Sequence, residues 1–171
     1  VLMWIQVFMI GTGRGLLETY SHYIYMIPAS PFTKLLWSNM ELMLRSFVES
    51  LLFFAVPGLV LGSSPLVILG CIAVYTFFSL LLLGINYLFM RWVGANLSQG
   101  ILLMIYFFAV LIFLAPGLSA ALIVGFTVGG FLGTLAALGI LSAWELIVAL
   151  ACFALSKNVL HNCDMPSVRP K

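Results

Sequence analysis

Charge is what this sequence has least of. Its 171 residues hold seven Lys and Arg and five Asp and Glu, 7% of the chain. A soluble domain carries about 25% charged residues. The apolar share is 64%, and a chain of this length has too little interior to hide that surface from water. Together these values exclude a soluble enzyme, a nucleic-acid-binding domain and a disordered tail. Lipid must be the solvent for most of the chain. The net charge of +2 is too small to name a partner. Cysteine is scarce too: Cys71 and Cys152 lie in apolar runs as small hydrophobes, and Cys163 lies in a polar tail. No disulfide framework or metal spacing follows from three such residues.

What is present is apolar length. From Ser50 to Ser156 the only charges are Arg91 and Glu145. A membrane-crossing helix needs about 20 apolar residues. The pattern predicts an all-α polytopic transmembrane bundle in a single domain, residues 1–171. Residues 1–12 read as the end of a truncated span, so the sequence is expected to be a fragment. That run has no basic leading region and no small-residue cleavage site, so it is not a signal peptide. Residues 14–46 form a more polar connector. Spans are expected at 47–62, 66–90 and 99–114, with uncharged turns at 62–65 and 115–117. A Gly-rich element, 116–138, follows. After a weak break at 139–142 comes a last span at 143–156, then a polar tail at 157–171.

Basic residues in short loops set orientation. Arg14, Lys34 and Arg45 place the connector in the cytoplasm, and Arg91 places the 91–98 loop there. Lys157, Arg169 and Lys171 ask for the same side. Two full crossings at 118–138 and 143–156, added to the three before them, would leave the tail outside. A re-entrant hairpin at 118–138, bent at Gly125, Gly129, Gly130 and Gly133, restores parity. The alternative is an ordinary span whose Gly125, Gly129 and Gly133 form a small-residue packing ridge. The charge bias favours the hairpin.

The connector is richest in signal. Ser30 can cap a helix and Pro31 suits its first position. From Phe32 to Phe47 apolar residues recur at steps of three and four, while Glu41–Arg45 and Arg45–Glu49 are i,i+4 pairs. The periodicity predicts an amphipathic helix at the membrane surface that runs into a span. Leu16 to Met26 is a second amphipathic stretch, parted from the first by Pro28. A connector of this length exceeds what joining two spans requires. A docking surface for a cytoplasmic partner is favoured over simple anchoring of its tyrosines at the interface.

The block Tyr23 to Asn39, YIYMIPASPFTKLLWSN, resembles the cytoplasmic loop of the putative ABC exporter family, permease subunits of type II (ABC-2) transporters. Ile27-Pro28-Ala29-Ser30 is its most distinctive part. Arg91-Trp92-Val93-Gly94 and Lys157-Asn158-Val159-Leu160 are similar to that family as well. The resemblance implies a membrane-spanning exporter subunit in the cell membrane, driven by a separate ABC ATPase subunit and working as a dimer of permease subunits. It implies that 116–138 is an external re-entrant element and that the C-terminus is cytoplasmic. A docking role for the ATPase would fall to Glu18, His22, Tyr23, Pro28, Ser30, Phe32 and Lys34.

Other signals are weaker. Gly11-Thr12-Gly13-Arg14-Gly15 has no preceding strand and no following Gly-Lys-Ser/Thr, so it is no phosphate loop, and Leu97-Ser98-Gln99-Gly100 echoes an ABC signature without a nucleotide-binding fold around it. The chain is therefore expected to be no enzyme and to bind no cofactor, with ATP on a partner subunit; its other partner is membrane lipid, with no nucleic acid. Glu145 is the one acid deep in an apolar run. It reads either as part of a substrate path or as an interfacial acid below a surface marked by Gly139. Asn86 reads as a path residue or as a helix–helix hydrogen bond. An integral-membrane lipid-modifying enzyme would need more than Glu18 and His22 at i,i+4. A secondary transporter would need midplane ionisable residues, for which only Glu145 is a candidate.

Overall fold

The computed structural model describes Thr33, Trp37, residues 39–93 and residues 99–156. These residues form α1 (Met40–Val60), α2 (Pro65–Val93), α3 (Gln99–Val128) and α4 (Gly130–Ser156), with no strand among them. In lipid every backbone N–H and C=O must be satisfied within the chain, which leaves helices as the solution for runs this apolar. All four helices are long and apolar enough to cross a bilayer. The fold is thus the all-helical multi-pass bundle expected from the composition.

α1 begins after Asn39, whose carbonyl accepts the Met43 N–H at 3.0 Å. From Met40 the amphipathic stretch runs into the span as one continuous helix, as its periodicity predicts. Arg45 and Glu49 form the expected i,i+4 ion pair, 3.0 Å apart, on an exposed face. The proposed start of the connector helix at Ser30 and Pro31 lies outside the described residues. α1 closes with the Leu61 N–H on the Pro57 carbonyl, and Gly62 turns the chain at φ 66°. Pro65 then opens α2, where a missing N–H goes unnoticed.

Contacts fix the register. α1 and α2 are antiparallel: Gly58 lies against Ile68, and Ser46 bonds Ser79 further in. α3 and α4 are antiparallel as well, with Gly125 against Ala137 and Gly117 against Trp144. α2 and α4 run parallel, Gly70 against Leu138 and Gly84 against Cys152. The core lies between α2, α3 and α4, around Leu81, Leu82, Ile85, Tyr106, Ala149 and Phe153. α1 packs on α2 and scarcely touches the other two.

The outer half of the molecule departs from the sequence reading. Residues 99–128 are a single helix of 30 residues and 130–156 a single helix of 27. The expected turn at 115–117 is helical, as is the break at 139–142. Residues 118–138 are neither a separate span nor a re-entrant element. They are the outer ends of two full-length helices, joined at Gly129 and Gly130 with φ of 64° and 59°. Pro and Gly mark turns reliably in water, but opening a backbone at membrane depth leaves polar groups unsatisfied. The expected Gly ridge is also different. Gly125 and Gly133 face each other across the turn, and a Cβ on Gly133 would sit 2.7 Å from the Gly125 carbonyl oxygen.

Parity is nonetheless even. The chain enters α1 and leaves α4 at the same end, which also carries the last turn of α2 with Arg91. That end is the one the basic residues are expected to hold in the cytoplasm.

Candidate functional site

Three features of the bundle carry polar chemistry, and each is placed by helix geometry. The first is the seam between α1 and α2. Ser46 and Ser79 share a hydrogen bond at 2.7 Å, and Ser50 and Thr76 approach at 3.4 Å. Ser50 also donates to the Phe47 carbonyl and Thr76 to the Ile72 carbonyl. Small hydroxyls let helices approach and bond at depth, where no water competes.

The second is Tyr87, in the half of α2 that ends at Val93. Its hydroxyl donates to Asn39 Oδ1 at 3.0 Å, where the connector joins α1. Its ring packs on Phe153 of α4, centroids 5.9 Å apart. One side chain therefore touches the entry to α1 and the inner end of α4. Asn86 lies beside it in sequence, 3% exposed and engaged in an interaction of its own.

The third is Glu145. It is fully buried, and neither carboxyl oxygen has a hydrogen-bond partner among the described residues. Two neighbours set its position. One residue back, Trp144 donates from Nε1 to the Phe113 carbonyl at 2.9 Å and lays its ring against Gly117. That contact pins α4 to α3. Four and seven residues on, Ala149 and Cys152 share the stripe of Glu145. They press against Gly84, where a Cβ would lie 3.0 Å from the Cys152 Cβ. Glu145 thus points into the interior of the three-helix core. It sits roughly 22 Å along α4 from Gly130 and roughly 16 Å from Ser156, at 1.5 Å per residue. α4 runs unbroken through Gly139, so the break on which the interfacial reading of Glu145 rested is not there. Buried acids without partners are costly at such depth, about 2.5–3.5 kcal/mol on insertion scales.

Glu145 and Asn86 are not brought together. Gly84 is level with the stretch from Ala149 to Cys152, so Asn86 lies about 10 Å inward of Glu145 along the parallel helices. The docking candidates Glu18, His22, Tyr23, Pro28, Ser30, Phe32 and Lys34 all lie outside the described residues. Among the described residues no cluster of His, Cys, Asp and Glu could hold a metal ion. Sequence reading missed the Ser46–Ser79 pair and the Trp144–Gly117 contact. The serines gave a signal, since hydroxyls within apolar helices commonly bond across a helix pair. The slot at Gly117 gave none, because Pro-Gly reads as a turn.

No curated relative and no solved structure matches the chain. A family model described as Putative ABC exporter matches residues 1–164.

Proposed function

The chain belongs to the Putative ABC exporter family, and from that membership we propose that it is the permease subunit of an exporter driven by a separate ABC ATPase subunit. The match over residues 1–164 carries the reading. Four helices able to span a bilayer support it. In this reading ATP is bound by the partner ATPase and not by this chain, and two permease subunits, in a lipid bilayer, form the pathway. The chain performs no bond-making chemistry of its own.

Coupling would start in the cytoplasmic connector. Closure of the ATPase subunits on ATP would move residues 14–38, and Asn39 would carry that motion into α1. The Tyr87 hydroxyl on Asn39 and its ring on Phe153 offer a route to α4. Alternating access would follow as the helices separate outward. Docking would use Glu18, His22, Tyr23, Pro28, Ser30, Phe32 and Lys34.

The test is the double variant Glu18→Ala with Lys34→Ala, expressed with a candidate ABC ATPase subunit. Exposed charges contribute only about 0–1 kcal/mol each to stability, so membrane levels should stay near wild type. Co-purification with the ATPase and stimulation of its ATP hydrolysis should both fall. Unchanged assembly and unchanged stimulation would place docking elsewhere and leave the segment as an anchor.

A further inference from the structure

Resting on the exporter reading and its pair of permease subunits, we propose that two copies of this chain meet along the outward face of α1, with Arg45 of each copy paired to the partner subunit's Glu49. An ion pair at membrane depth on the outside of the bundle points there. The Ser50–Thr76 contact sets its depth. Thr76 lies about 17 Å along α2 from Pro65 and about 23 Å from Arg91, at 1.5 Å per residue. Glu49, next to Ser50, is therefore near the middle of the membrane-crossing length, and Arg45 is one turn nearer the end that carries Arg91. Yet both side chains face out of the bundle, 62% and 37% exposed. Charged groups within membrane helices almost always face protein or a water-filled cavity. Snorkelling does not relieve this pair. The Arg45 Nε–H lies 3.0 Å from Glu49 Oε1, so the guanidinium is drawn toward the midplane and away from the nearer helix end.

The same face is shaped for a helix. Leu44, Val48, Leu52 and Leu59 are exposed and recur at steps of four and seven, opposite the Ser46–Ser50 stripe that α2 covers. Arg45 and Glu49 run along one edge of that apolar stripe. An apolar seam with charges on its flank is the layout of paired helices, whose flanking charges bond across to the partner. α1 also has the room, since it packs on α2 and scarcely touches α3 or α4.

Charge selects the occupant. A soluble ATPase subunit cannot reach this depth. The apolar run 1–12 brings no charge to answer the pair. A second copy brings both signs. A two-fold axis along the membrane normal sets two α1 helices side by side and parallel, and every contact made by one copy is returned by the other. Arg45 and the partner subunit's Glu49 are then one turn apart in height, the offset already bridged within one chain. A guanidinium has further N–H donors for a second carboxylate. The charges close into a neutral ring, and the apolar stripe beside it keeps lipid out.

The experiment places the photo-crosslinker benzoylphenylalanine at Val48 of the full chain, in one of two differently tagged copies in native membranes, and identifies its adducts by mass spectrometry. The expected adduct is with α1 of the other copy. R45E or E49R alone should lower that crosslink by about tenfold or more, because like charges then face each other across the axis. Co-expressing the R45E chain with the E49R chain should restore it between the two tags, since two acids on one copy meet two bases on the other. Restoration also reports that both variants are inserted and folded. If neither variant reaches the membrane, the adduct formed with the native charges decides alone. An adduct confined to lipid, to residues 1–38 of the same chain or to the ATPase overturns the proposal. So does equal crosslinking by the single reversals, or inserted reversals whose co-expression restores nothing. If the ATPase co-purifies but α1 meets no second copy, the interface fails and the exporter reading stands. If copies meet through α1 but no ATPase assembles, the exporter reading fails and the interface stands.

Discussion

Gly117 shows how one residue can be misread and then explained. In sequence it closes an uncharged Ala-Pro-Gly run and signals a turn. In the fold it is the gap in α3 that admits the Trp144 ring, and a Cβ there would lie 2.2 Å from Trp144 Cδ1. The ring is a large flat body tied by its own N–H to the Phe113 carbonyl, so it cannot simply step aside. Gly117→Ala should therefore destabilise the bundle by about 1–3 kcal/mol, the usual range for overpacking. In a Trp144→Ala background the same change should be close to neutral, because contacting residues couple. Thermal unfolding in detergent, run on both singles and the double, checks this. Additive losses would mean that the ring does not occupy the slot.

At the scale of elements, α1 stands apart. Its long apolar face is exposed, and its shortest polar contact with α2 is the Ser46–Ser79 hydroxyl bond at 2.7 Å. Removing one partner of a buried pair costs more than removing both, since the survivor keeps its desolvation penalty without its bond. Ser46→Ala alone should thus destabilise the α1–α2 pair by about 1 kcal/mol, within the range found for hydrogen bonds between membrane helices. Adding Ser79→Ala should recover part of that loss. The readout is the unfolding midpoint of each variant in the same detergent, and a double variant worse than Ser46→Ala would contradict the pairing.

For the whole molecule, the topology is testable without a structure. A reporter fused after Lys171 should signal from the cytoplasm, and a cysteine replacing Ser63 should be labelled from outside in intact cells. An external signal at the C-terminus would mean that one of the four helices does not cross. The apolar, membrane-spanning character of the chain and the spans now seen as α1 and α2 were legible in the sequence, because apolar length is a property of composition. The connection of the last two spans was not. Pro116, Gly117 and Gly139 all carry the local chemistry of breaks, and only the packing of Trp144 and the absence of water at depth make them helical. The interior place of Glu145 was lost with them, since Gly139 had been taken as a surface. The docking residues from Glu18 to Lys34 lie outside the described residues, so the fold neither adds to nor subtracts from that part of the reading.

The tight external turns have a consequence for how the chain is made. Only Leu61 to Ser64 connect α1 to α2, and only Gly129 connects α3 to α4. Neither turn holds a charged side chain. A nascent chain of this design asks the insertion machinery to pass almost nothing polar across the bilayer. Each helix can fold back on its predecessor while both are still leaving the ribosome, so that α1 with α2, and α3 with α4, can enter the lipid as hairpins. A charged pair engineered into the turn at Gly129 and Gly130 would therefore burden biogenesis first, appearing as reduced yield of inserted protein.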